Sequence, residues 1–129
     1  MLPVPPANDA PPLVLLVEDS DLVTAALRVL FEETGRRVRV APTVAAAIAA
    51  CAEEPPALML LDLTLPDGDG LGVLAAVRER GTAPRVTVAM TGHDDDATRA
   101  RCLAAGCADV LAKPVPVREL LRRTDGWLA

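Results

Sequence analysis

The stretch "LMLLDLTLPDGDGLGVLAAVRERG" spans residues 58–81. From Ala57 to Leu61 it is an apolar run of strand length, the mark of a buried strand. Asp62 ends the run, and a turn follows through Pro66, Asp67, Gly68, Asp69 and Gly70. Leu71, Leu74 and Val77 then recur at helical spacing, so Gly70 to Arg80 reads as a helix, stopped by Gly81. One strand, one loop and one helix are thus written in 24 residues. The unit also poses a question, because a carboxylate at the end of a buried strand is unfavourable unless something compensates it.

The same unit recurs on both sides. Upstream, Leu13 to Val17 is a strand, and Asp21 to Thr34 is a helix carrying Leu22, Val23, Ala26, Leu27, Leu30 and Phe31, stopped by Gly35. Val38 to Ala41 is a short strand, and an alanine-rich helix runs from a Thr43 cap through Glu54 to the break at Pro55-Pro56. Downstream, Arg85 to Met90 is a strand, and Asp94 to Ala105 is a helix with three aspartates expected in its first turn, stopped by Gly106. Asp109 to Ala112 is the fifth strand and Val117 to Leu128 the last helix, interrupted by Gly126. Five strand–helix units with short connections predict an α/β fold with a parallel sheet covered on both faces. The expected architecture is a flavodoxin-like doubly wound (βα)5 fold with strand order 2-1-3-4-5.

A chain of 129 residues fits one domain, expected over 13–129. Residues 1–12 hold five prolines and no Lys or Arg, and read as a disordered lead-in rather than a signal peptide. Aromatic residues are only 2%, so the core must be built from Leu, Val and Ala. Three cysteines, an odd number without metal-ligand spacing, read as free thiols, which places the chain in the cytoplasm. A net charge of −5 argues against nucleic acid as a direct partner. Leu13 to Val17, the longest strongly apolar run, is too short to span a membrane.

In a parallel sheet the strands' carboxyl ends share one edge, where ligands bind. Glu18 and Asp19 follow the first strand, Asp62 the third, Thr91 the fourth and Lys113 the fifth, whereas the second ends on the uncharged Pro42 and Thr43. Three carboxylates in one small space call for a positive partner, and few carboxylates completed by water suit Mg²⁺ better than Ca²⁺. A divalent ion, a lysine, a hydroxyl and one nucleophilic carboxylate make a phosphoryl-transfer site, with Asp62 attacking phosphorus.

The motifs "VEDS" (17–20), "LLDLTLPDGDG" (60–70), "MTGH" (90–93) and "ADVLAKPV" (108–115), in this order, resemble the receiver domain of bacterial two-component response regulators. The resemblance covers Leu13 to about Leu128. It implies that Asp62 is the phosphoacceptor, that Asp19, Asp62 and the backbone carbonyl of Thr64 hold Mg²⁺, and that Glu18 acts through water. It implies that Thr91 and Lys113 hold the phosphoryl group and that the Lys113–Pro114 bond is cis. The donor implied is a histidine kinase or a histidine phosphotransfer protein, docking a histidine-bearing helix near Ser20, Leu22, Val23 and Pro114. "TRARCLAAGCADVLAKPV" and "LLRRTDGWLA" look most like the receiver modules of hybrid kinases and phosphorelays, and in 129 residues no room is expected for a DNA-binding domain. Such a module catalyses its own phosphorylation and is not a turnover enzyme.

One position departs from the family. Three residues before its lysine the family usually has Tyr or Phe, and here stands Val110. The alternative that Val110 raises is a receiver-fold interaction module that works without phosphorylation. The Asp67-Gly68-Asp69-Gly70 run faintly resembles a calcium loop but lacks the later ligands, and a tight turn is the expectation. His93 is either a solvated loop residue or, with Thr64, a flank of the path taken by hydrolytic water. Arg118, Arg122 and Arg123 read as a solvated face.

Overall fold

The structure, a computed structural model, describes residues 10–129, so most of the expected lead-in lies outside the described residues. Ala10 to Pro12 are exposed, and the carbonyls of Pro11 and Pro12 accept hydrogen bonds from Arg37 Nε and Arg37 N, both at 2.9 Å.

Five strands form one parallel sheet: β1 (Leu13–Val17), β2 (Arg37–Ala41), β3 (Leu58–Asp62), β4 (Val86–Thr91) and β5 (Asp109–Ala112). Their order is β2-β1-β3-β4-β5, the expected 2-1-3-4-5. Five helices connect and flank them: α1 (Asp21–Glu33), α2 (Val44–Glu53), α3 (Leu71–Glu79), α4 (Asp96–Ala105) and α5 (Val117–Trp127). Between β3 and α3 the expected tight turn, at Pro66 and Asp67, closes a two-stranded antiparallel hairpin that pairs Thr64–Leu65 with Gly68–Asp69.

Alternation along the strands divides the core in two. Leu15 and Val17 of β1 and Met59 and Leu61 of β3 pack with Val73, Val77 and Cys51 on the face covered by α2, α3 and α4. Val14, Leu16, Leu58 and Leu60 point the other way and pack with Phe31 of α1 and Leu120 of α5. Every residue of β1 and β3 is buried, as befits strands covered on both faces. Burying each of these leucines is worth about 2 kcal/mol, which is how a core with one Phe holds together.

The helix boundaries have local causes. Ser20 and Thr43 cap α1 and α2 by accepting from Val23 N and Ala46 N. Asp95 caps α4 by accepting from Thr98 N at 2.7 Å, so only Asp96 of the three aspartates lies in its first turn. Asp94 stays outside and pairs with Arg99. Gly106 (φ 110°) takes the left-handed backbone that closes α4. Gly126 does not break α5, which continues to Trp127. Cys51, Cys102 and Cys107 are free and buried, and burial first, then the neighbouring Cys102, pushes the Cys107 thiol up to about 12. Among the described residues no helix is long and apolar enough to cross a membrane.

Candidate functional site

The strand period delivers three of the expected residues to one point. Glu18 continues the Val14–Leu16 row, Asp62 the Leu58–Leu60 row, and Lys113 follows Leu111, all on the face toward α1 and α5. Thr91 continues the Thr87–Ala89 row, whose Ala89 packs on the opposite face.

Backbone hydrogen bonds extend the sheet past its strand ends and hold these residues still. Glu18 N donates to Ala41 O (3.2 Å), Leu63 N to Met90 O (3.2 Å) and Lys113 N to Thr91 O (2.8 Å). The Lys113–Pro114 bond is cis. Strand β2 contributes no charge at this edge, yet its last carbonyl fixes the backbone of Glu18.

Lys113 Nζ donates to Glu18 Oε1 at 2.7 Å and to Asp62 Oδ2 at 2.9 Å. Glu18 is 2% and Asp62 7% exposed, so two carboxylates are buried and one ammonium bridges them. Burial opposes the charged lysine, but the hydrogen bonds to Glu18 and Asp62 outweigh it and hold the Lys113 ammonium above the ordinary lysine range. The remaining carboxylate oxygens are also engaged, Glu18 Oε2 by Ser20 N (3.2 Å) and Asp62 Oδ1 by Thr64 N (3.0 Å). Asp19, exposed, completes a set in which one oxygen each from Glu18, Asp19 and Asp62 lies within 4.8 Å of the others. Three hard oxygen donors so close, with one lysine among them, fit a small divalent cation.

Thr91 is buried at the end of β4. Its hydroxyl accepts from His93 N (2.9 Å) and donates to His93 O (3.3 Å), so the loop after β4 holds the side chain. Thr91, His93 and Thr64 line one cleft of about 450 Å³, together with Arg101 and Asp69. Thr64 itself is exposed.

Sequence reasoning missed Gly70 and two arginines. A Cβ on Gly70 would lie 2.0 Å from the carbonyl oxygen of Asp62, so only glycine fits behind the strand end. The signal was present in the glycine-rich loop but indistinguishable from a turn requirement. Arg101 Nη1 donates to Asp69 Oδ2 at 2.7 Å, joining α4 to the hairpin. Arg99 Nη2 donates to the carbonyl of Val110 at 3.2 Å. Val110 itself is buried in the core among the residues facing α2, α3 and α4. Arg122 and Arg123 are not merely solvated, since both pair with Glu119, and Arg123 also reaches Asp109 at 2.9 Å. These hydrogen bonds, to Arg122 first and Arg123 second, hold the Glu119 carboxyl down at about 2.

Comparison with known proteins gives this constellation a family. A family model described as the response regulator receiver domain matches residues 14–125. The transcriptional regulatory protein KdpE of Mycobacterium tuberculosis is 37% identical over 111 residues, 86% of this chain and 48% of that protein. The chain therefore spans about half the length of the curated relatives it matches. Among solved structures, the signal receiver domain of a putative LuxO repressor protein from Vibrio parahaemolyticus superposes with a TM-score of 0.85 at 27% identity, covering 92% of this chain and 90% of that one. A CheY-like response regulator receiver domain protein from Methanospirillum hungatei gives 0.83 at 27% identity, covering 92% and 94%. With the fold, the rim and the family match in agreement, this chain belongs to the response regulator receiver domain family.

Proposed function

We propose that residues 13–129 form a cytoplasmic receiver domain that accepts a phosphoryl group on Asp62 in a Mg²⁺-dependent step, the donor being the phosphohistidine of a histidine kinase or histidine phosphotransfer protein. The observation that carries this reading is the Lys113 ammonium bound to both Glu18 and Asp62 at the sheet's carboxyl edge, with Asp19 alongside. Asp62 is the nucleophile: a carboxylate oxygen forms the new P–O bond as the P–N bond to the donor imidazole breaks. Lys113 places positive charge where the phosphoryl oxygens arrive, and Thr91 offers a hydroxyl on the same edge. Glu18, Asp19, Asp62 and the Thr64 carbonyl would hold Mg²⁺, which when bound supplies further positive charge to the phosphoryl oxygens. The chain promotes its own modification and turns over no small substrate. A net charge of −5 does not favour direct contact between this domain and nucleic acid.

A groove of about 580 Å³ between α1 and α5 supports a helical donor. Leu22, Val23, Pro114 and Val117 line it together with Lys113, and Leu22 is 86% exposed. An amphipathic helix laid along such a groove would bring its histidine to Asp62. The test uses two donors. Val23→Glu should slow transfer from a phosphorylated kinase by about tenfold, the equivalent of about 1.4 kcal/mol, and leave labelling by an acyl phosphate unchanged. Equal slowing with both donors would remove the docking surface, and no Mg²⁺-dependent labelling by either would favour the phosphorylation-independent module that Val110 suggests.

Thr64 and His93 line one cleft with Thr91, beside the end of β3, and are read as flanking the path of hydrolytic water to the modified carboxylate. Replacing either is expected to change the lifetime of the phosphorylated state several-fold, timed as loss of label after the donor is removed. Unchanged lifetimes in both variants would leave His93 a solvated loop residue.

A further inference from the structure

The Asp67-Gly68-Asp69-Gly70 run looks like a cation loop in sequence, but the fold gives each of its carboxylates a protein partner. Asp67 sits in the turn of the hairpin, and its Oδ1 accepts from Val44 N at 2.7 Å while its Oδ2 accepts from Ala45 N at 3.1 Å. Those are the first two residues of α2, whose N–H groups have no partner within the helix. A carboxylate across them makes charge-assisted hydrogen bonds at the positive end of the helix, and the Val44 N–H in particular holds the Asp67 carboxyl below its usual range. The backbone follows the side chain: a Cβ on Gly68 (φ 154°) would make ordinary van der Waals contact with Val44 Cγ2, at 3.7 Å. On the other side of the hairpin, Asp69 accepts from Leu71 N at 2.9 Å and pairs with Arg101. The hairpin is thus pinned to α2 by Asp67 and to α3 and α4 by Asp69. Its first residue, Thr64, pairs with Asp69 and donates its N–H to Asp62 Oδ1.

We infer that Asp67 is a positioning residue for the phosphoryl-accepting site, clamping the hairpin turn to α2 so that Thr64 is held beside Asp62 in place to complete the Mg²⁺ donor set. The inference rests on the reading of the site given above. The contact is more than a helix cap, because its acceptor comes from the hairpin: Thr43, next to α2 in sequence, caps Ala46 N at 3.0 Å, whereas Asp67 ties Val44 N and Ala45 N to a separate segment of chain. That second cap supplies the control. Both Asp67→Ala and Thr43→Ala remove hydrogen bonds from the same helix end, but only the first releases the hairpin.

The experiment titrates the full chain with Mg²⁺ alone and reads affinity from the amide NMR shifts of residues at the rim. Asp67→Ala should weaken Mg²⁺ binding by about tenfold, the lower end of what removing an outer support of a metal site does, and Thr43→Ala should leave it unchanged. Asp67→Asn, which keeps one acceptor oxygen for Val44 N, should fall between the parent and Asp67→Ala, and it serves if Asp67→Ala does not fold. Asp67 variants that bind Mg²⁺ like the parent, or Thr43→Ala weakening it equally, would overturn the inference while leaving Asp62 labelling intact. A parent chain that neither binds Mg²⁺ nor labels at Asp62 would overturn both the inference and the reading beneath it.

Discussion

In Mg²⁺-free buffer, Asp62→Asn is expected to melt a few degrees above the parent chain while losing all Mg²⁺-dependent labelling by an acyl phosphate. The loss follows from removing the nucleophile. The gain in stability follows from the charge pattern. The like-charge pair that buried Asp62 makes with buried Glu18 within 4.8 Å is unfavourable by roughly 3.5 kcal/mol at an effective dielectric near 20, and the pair with exposed Asp19 by less, because solvent screens it. The Lys113 ammonium at 2.9 Å contributes roughly 6 kcal/mol on the same scale. Attraction and repulsion are therefore of similar size, and the cost of holding a charge on buried Asp62, which the neutral amide avoids, tips the balance, so neutralising Asp62 stabilises the fold. Lys113 keeps its bond to Glu18 in the variant, and the amide oxygen of asparagine still accepts from Thr64 N. Adding Mg²⁺ should reverse the ranking, because a ligand that binds the folded parent better than the folded variant stabilises the parent more. Thermal melts with and without Mg²⁺ check both halves; a variant that melts lower without Mg²⁺ would contradict the charge account.

Gly70→Ala tests how firmly the strand end must be held. Gly70 has φ −56° and ψ −33°, a backbone any residue adopts, so conformational freedom is not what it provides. What it provides is space: a methyl group there would sit 2.0 Å from the Asp62 carbonyl oxygen and 3.0 Å from Leu63 Cα, both backbone atoms that cannot rotate aside. Overpacking of this kind is expected to lower stability by about 3 kcal/mol and, by moving the nucleophile, to slow labelling by about 100-fold. Gly72→Ala is the control. Nothing lies within 4 Å of its added methyl, and it is exposed in α3. It should stabilise the chain by up to about 1 kcal/mol and leave labelling unchanged. Denaturant melts and labelling rates of the two variants decide the matter, and a Gly70→Ala chain that labels at the parent's rate would show that the close approach does not position Asp62.

The strand order and the rim were legible in the sequence because they rest on period and composition. Apolar runs alternate with helical spacing, and β2, the one strand that brings no candidate site residue to the rim, is an edge strand. What stayed hidden was set by the backbone or by distant partners. The sequence reading ended β3 at Leu61, where polarity changes, but the ladder continues to Asp62 opposite Met90, because backbone pairing is indifferent to side-chain charge. The hairpin is too short for any periodicity to announce it. Three consecutive aspartates cannot say which of them caps α4; Asp95 does, through Thr98 N. Arg101 and Asp69 are 32 residues apart, and no local signal links them. At Val110 the sequence marked the missing aromatic, but only the structure shows that Arg99 from α4 holds its carbonyl.

The central claim is that Asp62 is the phosphoacceptor. The chain should be incubated with Mg²⁺ and either an acyl phosphate or a phosphorylated histidine kinase, then reduced with borohydride, which traps an aspartyl phosphate, and mapped by peptide mass spectrometry. The expected result is one modified residue, Asp62, with labelling abolished by a chelator. Modification at another residue, or none with either donor in the presence of Mg²⁺, would contradict the account.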